Sequence, residues 1–183
     1  MKPPESAPAA QRSLEELYRR PGFLIRRAHQ IAVSIFLEEC ADLGVTTTQY
    51  GVMVILRARP DLDQVGLATL VGIDRSTTAL VVGKLEASGH VERRADPLDK
   101  RRKVLMLTPA GHAMLDRLAA PARRAREREM AAFSTADANR FIELLRTFVD
   151  TFNENTRAPI KPQTKKKRAR KTSPKKAGSG SRV

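Results

Sequence analysis

Residues 91–108, VERRADPLDKRRKVLMLT, concentrate side chains that can bind a negatively charged partner. The stretch carries six lysines and arginines around one Asp-Pro-Leu-Asp segment and ends in an alternating apolar run. Strand-like residues on both sides of a polar, proline-containing loop predict a β-hairpin, with strands over 90–95 and 103–108. The tip of such a hairpin is exposed, so its cations remain available to phosphate groups.

A second candidate surface precedes this hairpin. The segment LDQVGLATLVG predicts a short helix that is capped by Asp63 and turns at Gly72, and a further helix runs from the cap Asp74 to Gly89. Two helices joined by a short turn are typical of a helix-turn-helix, whose second helix enters the major groove of DNA. The hairpin would then be the wing of a winged helix-turn-helix.

The outward face of that second helix is small and largely uncharged. Steps of four predict an inner face of Ile73, Thr77, Val81 and Leu85. The opposite face then holds Arg75, Thr78, Ala79 and Val82. Arg75 can bond guanine in a bidentate manner, and the hydroxyl groups of Ser76 and Thr78 can reach base edges or phosphates. The alternative interpretation is a solvated face without a partner, although such faces usually carry Glu and Lys.

Asp99 is unusual at a basic hairpin tip, because a carboxylate there would repel phosphate. It either pairs internally and orients one of the cations at 100–102, or closes the turn as an Asx cap, and both roles can hold together. The predicted DNA contacts are Arg75, Ser76, Thr77, Thr78, Lys84, Arg94, Asp99, Lys100, Arg101 and Arg102.

The net charge of +14 is unevenly distributed. From Arg157 to the last residue there are eleven lysines and arginines and no acidic residue, which leaves +3 for residues 1–156. Composition predicts that residues 157–183 are a disordered tail that contacts DNA without sequence preference, or else a solubilising extension. Residues 1–12 are also expected to be disordered, and they lack the apolar segment of a signal peptide.

Long helices flank the predicted DNA-binding core. Capping-box spacings place helix starts at Ser13 and Thr46, and a helix over 23–42 ends before Gly44. This helix is apolar over so wide an arc that it should be buried on two sides, inside a domain or between subunits. Two more helices should begin at Thr108 and Ser134. We therefore predict a mainly α fold with a small β-hairpin wing, in which a domain over 13–156 combines a core at 46–108 with dimerisation helices at 13–43 and 109–156.

The sequence contains no pattern typical of an enzyme. The histidines lack metal-ligand spacing, no glycine-rich phosphate loop occurs, and no nucleophile stands beside a base, so we expect no catalytic site, metal or cofactor. Cys40 is the single cysteine, which excludes an internal disulfide. The acidic residues around it should raise the pKa of its thiol, which leaves redox sensing as an alternative function only. The apolar runs are shorter than the roughly 20 residues of a membrane span, and a cytoplasmic protein is expected.

The segment DRSTTALVVGKLEASGHVERRADPLDKRRKVLMLTPAG resembles the core of the multiple-antibiotic-resistance regulator (MarR) family. The family pattern is a recognition helix, then Gly-x-(Val/Ile)-x-Arg, an Asp-(Lys/Arg)-Arg wing tip and Leu-Thr-x-x-Gly. Here it is matched by Gly89, Val91, Arg93, Asp99, Lys100, Arg101, Leu107, Thr108 and Gly111. The resemblance covers about residues 13–156. It implies a homodimer with intertwined first and last helices, and it matches Arg101 to the arginine at the wing tip.

The resemblance also implies a site for small, often aromatic effectors between the dimer helices and the winged domain. The segments RPGFLIRRAHQIAVSIFLEEC and GVTTTQYGV resemble members that regulate the breakdown of aromatic acids, including members that respond to CoA thioesters. Candidate ligand-binding residues are Arg26, Arg27, His29, Phe36 and Tyr50. A satisfied core histidine is the favoured interpretation of His29, and Arg26 and Arg27 could simply solvate their helix.

These observations predict a dimeric repressor that leaves a palindromic DNA operator when a small aromatic effector binds. The effector would be an aromatic acid or its CoA thioester. The basic tail prompts the main alternative, an architectural protein that coats DNA broadly, and a footprint would distinguish the two.

Overall fold

The computed structural model describes residues 9–161 except Asp61, Pro97, Leu98 and Lys100. The helices are α1 (Ala9–Arg19), α2 (Pro21–Glu39), α3 (Thr47–Ala58), α4 (Gln64–Val71), α5 (Arg75–Ala87), α6 (Pro109–Met130) and α7 (Thr135–Thr151). Short 3-10 turns follow α2 at Ala41–Leu43 and α7 at Asn153–Asn155. The strands β1 (Val91–Ala95) and β2 (Lys103–Leu107) stand between α5 and α6. This order confirms the predicted fold class of helices with one hairpin.

The winged core is built around α3, which packs against α4, α5, α6 and β2. Its side chains Val52, Met53 and Leu56 are fully buried, and they meet Leu67 of α4 and Leu85 of α5 in one apolar cluster. The helices α4 and α5 meet at 108°, within the range of about 90–120° typical of a helix-turn-helix. No single helix of the described chain is long and apolar enough to cross a membrane. Among the described residues only α4 and α5 taken together reach the length and apolar composition of a membrane span, and this pair is sharply bent.

The predicted caps are confirmed where they depend on local sequence. Thr46 and Gln49 form a reciprocal capping box at the start of α3. The carboxylates of Asp63 and Asp74 accept from the backbone N–H groups of Gly66 and Thr77, at 2.8 Å in each case. The hydroxyl groups of Thr108 and Ser134 cap α6 and α7 in the same manner. Each cap satisfies a backbone N–H that the first helical turn leaves without a partner.

The hairpin is antiparallel, with Val91 opposite Leu107 and Ala95 opposite Lys103. Each strand is one residue shorter than predicted. The N–H of Leu105 donates to the carbonyl of Leu62 (2.7 Å), which ties the wing to the segment before α4. The middle of β2 is therefore held against the segment that leads into the helix-turn-helix.

Two glycines of the family-like motif have structural reasons to be glycine. Gly89 ends the turn after α5 with φ at 73°, a left-handed conformation that favours glycine. Gly111 packs against the residue that joins α5 to β1, His90. A Cβ atom at position 111 would lie 2.1 Å from the carbonyl oxygen of His90, so no larger residue fits there. The hydroxyl of Thr108 also donates to the Gly89 carbonyl (2.6 Å). These contacts fix the angle between α5, the wing and α6.

The flanking helices α2 and α6 pack against each other. Arg124 and Arg128 of α6 bond both carboxylate oxygens of Glu39 at 2.8 Å, and Arg128 also bonds Glu38 at 2.9 Å. The Arg128 and Arg124 guanidinium groups lower the pKa of Glu39 through these bonds. Polar side chains thus fix the register between these two helices at the end of α2.

The predicted start of the first helix at Ser13 is wrong. The helix α1 extends from Ala9, so Ser13 lies inside it, and residues 9–12 are helical rather than disordered as predicted. Local spacing alone could not place this start, since a capping-box pattern also occurs inside helices. Residues 1–8 lie outside the described residues.

The predicted boundary of the tail is also wrong, because residues 157–161 pack on the helix-turn-helix. The side chain of Ile160 covers Gly72, and the amide of Asn153 bonds both the carbonyl (3.0 Å) and the N–H (2.9 Å) of Ile160. The N–H of Lys161 donates to the carbonyl of Thr69 on α4 (3.4 Å). We call residues 157–161 the strap. The rest of the predicted tail, residues 162–183, lies outside the described residues.

Candidate nucleic-acid interface

The face assigned to the recognition helix α5 must be corrected. Thr78 and Val82, which were predicted to point outward, are fully buried, whereas Thr77 of the predicted inner face is exposed. The error comes from Ile73, which precedes the cap Asp74 and lies outside the helix, so helical spacing does not apply to it. Thr78 donates its hydroxyl to the Asp74 carbonyl (2.8 Å), and because it is fully buried its side chain is not accessible to a partner of the helix.

The exposed face of α5 consists of Arg75, Ser76, Thr77, Leu80, Gly83, Lys84 and Ala87. Leu80 is 68% exposed, although an exposed leucine on a helix surface gains nothing from water. A large apolar side chain on this face can contact the methyl groups of thymine in the major groove. Arg75 stands at the N-terminal end of the face, and Lys84 stands in the last turn.

Asp74 organises the first turn of α5. Its carboxylate accepts the hydroxyl protons of Ser76 (2.5 Å) and Thr77 (2.7 Å) besides the N–H of Thr77. These bonds, that of Ser76 first, hold the pKa of Asp74 well below its ordinary value. Because both hydroxyl protons are committed to Asp74, the side-chain oxygens of Ser76 and Thr77 can still accept hydrogen bonds but do not donate further ones in this arrangement.

Asp99 closes the turn at the wing tip. Its Oδ1 atom accepts from the N–H of Arg101 (3.0 Å), and its carbonyl accepts from the N–H of Arg102 (2.9 Å). The Asx-cap interpretation is therefore confirmed, and within the described residues Asp99 bonds the backbone of Arg101 rather than its guanidinium. The side chain of Arg101 is exposed. Lys100, also a predicted contact, lies outside the described residues.

Arg102 was predicted to contact DNA, but its guanidinium is engaged within the protein. Its Nε bonds Asp63 (3.1 Å) and its Nη1 bonds Asp96 (2.9 Å). The bond to Asp63, then that to Asp96, raises the pKa of Arg102. Arg102 thus holds the wing to the cap of α4. Sequence spacing does not predict this role, because Asp63 lies 39 residues away along the chain.

The arginines of β1 also form ion pairs. Arg93, a residue of the family-like motif, bonds Glu86 of α5 (2.8 Å) and so connects the wing to the recognition helix. Arg94, a predicted DNA contact, pairs with Glu92 on the same face of the strand (2.6 Å). Its side chain remains 59% exposed, so contact of Arg94 with DNA stays a prediction.

The predicted effector residues fall into two groups. Phe36, which is buried, and the half-buried Tyr50 lie together with ring centroids 5.4 Å apart, where α2 meets α3. Arg26 and Arg27 are exposed in the first half of α2, where both bond the side chain of Gln30. His29 is exposed too, so the favoured interpretation as a core histidine is wrong for the protomer. It shares a helix face with Phe36, about 10 Å away along the axis.

The surroundings of Cys40 oppose reactivity. The residue is 2% exposed, and burial, followed by the nearby Glu39, raises the pKa of its thiol. Thiolate formation, which redox sensing requires, is therefore suppressed. In the part of the chain that the structure describes, no group of three or more His, Cys, Asp or Glu residues could hold a metal ion.

The strap forms one wall of a groove beside the recognition helix. The groove has a volume of about 540 Å³, and Arg75, Ser76 and Arg157 line it together with the end of α4. The sequence does not predict that the strap lines a groove beside α5. The one feature of the sequence that indicates this packing is Ile160, an apolar residue that interrupts an otherwise polar and basic segment.

Comparison with known proteins agrees with this geometry. The MarR family profile matches residues 45–103, which span α3 to the first residue of β2. The chain is 33% identical to a putative transcriptional regulatory protein for the hcr operon of Thauera aromatica, over 68% of this chain and 76% of that protein.

Solved structures share both the fold and substantial sequence identity. The repressor CouR bound to a 23-mer DNA duplex is 30% identical with a TM-score of 0.69, over 73% of this chain and 95% of that one. CouR from Rhodococcus jostii has also been solved with p-coumaroyl-CoA. BpsR of Bordetella bronchiseptica, whose DNA binding is regulated by 6-hydroxynicotinic acid, is 28% identical with a TM-score of 0.68, over 72% of this chain and 94% of that one.

Proposed function

This chain belongs to the MarR family of transcriptional regulators, and from that premise we propose that it is a dimeric repressor released from DNA by an aromatic effector. Its operator is a palindrome, and its effector is a small aromatic acid or the CoA thioester of one. The observation that carries the proposal is the exposed face of α5, on which Arg75 and Leu80 are accessible to the bases of a DNA duplex. The wing beside this helix also exposes Arg101.

Dimerisation is supported by large apolar side chains that the protomer leaves exposed. They lie on α1, α2 and α7, and on α7 they are Leu144, Leu145, Phe148 and Val149. The helix α7 has no buried residue at all. Clustered apolar side chains of this kind mark a protein interface, and a second copy that covers them would place two recognition helices about 34 Å apart for an inverted repeat.

Effector binding is supported by the aromatic pair Phe36 and Tyr50. The pair lies between α2, a helix of the proposed dimer interface, and α3, a helix of the DNA-binding core. An aromatic ring inserted between α2 and α3 would move the DNA-binding core relative to the dimer interface. Arg26 and Arg27 offer positive charge to a carboxylate or to the phosphates of CoA. The CoA thioester bound to CouR and the 6-hydroxynicotinic acid that regulates DNA binding by BpsR belong to this chemical class.

The effector test begins with in vitro selection of the preferred duplex. Aromatic acids and their CoA thioesters are then screened by thermal shift, and each hit is tested for release of the selected duplex. We expect at least one hit to raise Tm and to weaken DNA binding at least tenfold. Phe36→Ala should remove that response, whereas Phe133→Ala, on the α6–α7 connection, should keep it. Hits that leave DNA binding unchanged would contradict the proposed release.

The dimer is tested separately by sedimentation. Phe148→Glu should give a folded monomer that no longer protects the palindrome, and Arg140→Glu on the same helix should remain dimeric. A Phe148→Glu chain that stays dimeric would contradict the proposed role of α7.

An architectural DNA-binding protein is the second candidate, and the charge of residues 157–183 favours it. Footprinting distinguishes the two functions. A repressor protects one short inverted repeat at a concentration that leaves the flanking DNA open. An architectural protein protects the whole fragment over one concentration range.

A further inference from the structure

We propose that the strap, residues 157–161, is a third DNA-contacting element beside the recognition helix and the wing. In this proposal Arg157 and Lys161 contact backbone phosphates of duplex DNA next to the major groove that α5 enters. The strap also fixes the place where the lysine-rich segment at 162–183 meets the DNA. The inference depends on DNA binding through α5 and adds a surface that the winged helix alone does not have.

The strap is held at a defined position on the domain. The Asn153 side chain bonds both the N–H and the carbonyl of Ile160, so one amide fixes both polar groups of that residue. The Ile160 side chain rests on Gly72, the left-handed glycine of the helix-turn-helix turn, where a Cβ would stand 2.8 Å from Ile160 Cγ1. The absence of a side chain at Gly72 therefore leaves the space that Ile160 occupies.

The strap lies beside both helices of the helix-turn-helix. In a helix-turn-helix the first helix crosses the DNA backbone and the second enters the groove. Lys161 bonds the carbonyl of Thr69 on the first helix, α4, while Arg157 shares a groove with Arg75 and Ser76 at the start of the second, α5. Both cations of the strap thus stand on the side of the domain that approaches phosphates.

The charges of the strap also favour contact with phosphates. Among the described residues neither Arg157 nor Lys161 takes part in an ion pair, in contrast to Arg93, Arg94 and Arg102 of the wing. The chain then continues for 22 residues that contain nine lysines and arginines and no acidic residue. At most about 3.5 Å per residue gives these 22 residues a maximum reach of about 77 Å, which equals about two turns of duplex measured along its axis. A fixed starting point would direct this charge to one flank of the site.

The experiment compares variants that keep or remove the docking of the strap. Asn153→Ala removes both bonds to Ile160 without a change in charge, and Asn155→Ala removes a neighbouring amide that bonds no described residue. Ile160→Ser is a second variant that releases the strap. Arg157→Ala removes a proposed contact and leaves Asn153 intact. Binding is measured on a 40-base-pair duplex from in vitro selection over a range of salt concentrations.

We expect Arg157→Ala to weaken binding about three- to tenfold and to lower the slope of log affinity against log salt by about one per strap, as loss of one phosphate contact does. Asn153→Ala and Ile160→Ser should lower affinity and slope in the same direction, although every charge is retained. Asn155→Ala should stay within twofold of the natural chain. Thermal denaturation establishes that each variant is folded at the assay temperature.

The position of the segment after the strap is read by cleavage of the same duplex. An iron chelate is attached to the cysteine of a Gln163→Cys chain. The natural Cys40 does not react with the reagent, because it is only 2% exposed. We expect cuts at a few fixed phosphates beside the footprint. Addition of Asn153→Ala should spread the cuts along the duplex, and addition of Asn155→Ala should leave them in place.

The outcomes separate this proposal from the proposed function. A site-specific footprint whose affinity, slope and cutting pattern do not respond to Asn153→Ala, Ile160→Ser or Arg157→Ala overturns the strap alone. A folded chain ending at Lys161 that protects no site at low salt overturns the winged-helix function. No effector is added in this experiment, so its result does not depend on the proposed release of DNA by an aromatic ligand.

Discussion

The guanidinium of Arg102 on the wing donates to the carboxylate of Asp63 at 3.1 Å, and the same carboxylate caps α4 through the N–H of Gly66 at 2.8 Å. One acidic side chain therefore starts the first helix of the helix-turn-helix and anchors the wing to it. Arg102 completes the arrangement by bonding Asp96, which precedes the wing tip. The helix-turn-helix and the wing are thus held together by polar bonds between distant parts of the chain.

The two roles of Asp63 can be separated by substitution. Asp63→Asn keeps a good helix cap and loses the ion pair, so it should lower the free energy of unfolding by only about 0.2–1 kcal/mol, because the pair is partly exposed. Asp63→Ala also loses the cap and should cost about 1 kcal/mol more. Urea denaturation measures both values. Equal losses for the two variants would mean that the cap contributes nothing measurable.

The pH dependence of this difference has a definite sign. Burial raises the pKa of Asp63, but the Gly66 N–H and the Arg102 guanidinium outweigh that effect and hold it below its ordinary value. A carboxyl whose pKa is lower in the folded state stabilises the fold above its unfolded pKa of about 3.9 and loses that effect as the pH falls. The stability advantage over Asp63→Asn should therefore be full at pH 6 and shrink below about pH 4.

Leu80 and Val82 allow a direct test of the corrected face of α5. Leu80→Ala removes a 68% exposed side chain, so it should change the free energy of unfolding by less than about 0.5 kcal/mol while it weakens binding to the selected duplex. Val82→Ala removes a fully buried side chain and should cost about 1.5–3 kcal/mol of stability. Denaturation and DNA titration of both variants decide this. A stable Val82→Ala chain with impaired DNA binding would restore the original assignment of the faces.

Features that depend on local sequence could be predicted. The caps at Thr46, Asp63 and Asp74 need only a side chain and a backbone N–H three residues apart, and all three are present. The hairpin was found within one residue at each strand, because alternation and turn residues determine strands locally. The assignment of faces on α5 failed for a reason equally local, since one reference residue, Ile73, stands before the cap and outside the helix.

Features that join distant segments could not be predicted. The Arg102–Asp63 pair and the contact of Ile160 with Gly72 depend on tertiary packing, which spacing along the chain does not encode. Composition predicted disorder from residue 157 onward, yet the Ile160 side chain on Gly72, the Asn153 amide and the bond of Lys161 to Thr69 hold the strap against the domain. The exposure of His29 is a similar case, because helical spacing identifies a shared face and not what covers it.

Arg75 is expected to specify a base. Arg75→Ala should cost about 1–3 kcal/mol on the preferred duplex and relax the preference at one base pair. The control is Arg123→Ala on α6, which removes an exposed arginine that pairs only loosely with Glu127 at 3.8 Å. Titrations on the selected duplex and on random duplex provide the measurement. Equal weakening on both would assign Arg75 to a phosphate contact.

The wing tip allows geometry to be separated from charge. Arg101 is an exposed cation at the tip, and the minor groove, narrowest where the DNA is rich in A·T pairs, attracts arginine. Arg101→Ala should therefore weaken operator binding strongly, with the largest loss on duplexes that have A·T-rich flanks. Titration of paired duplexes that differ only in those flanks measures this effect. A loss independent of the flanking sequence would argue against insertion into the minor groove.

Asp99 should assist binding although it carries the wrong charge. Its Oδ1 atom accepts from the N–H of Arg101 at 3.0 Å, so Asp99→Ala opens the turn and should weaken binding even as it removes a negative charge. Asp99→Asn keeps an oxygen in the same place without the charge, and it should bind as tightly as the natural chain or more tightly. Asp99→Ala and Arg101→Ala should combine less than additively, because both act through the placement of one arginine. Tighter binding by Asp99→Ala would reduce Asp99 to a repulsive turn residue and end its role in positioning Arg101.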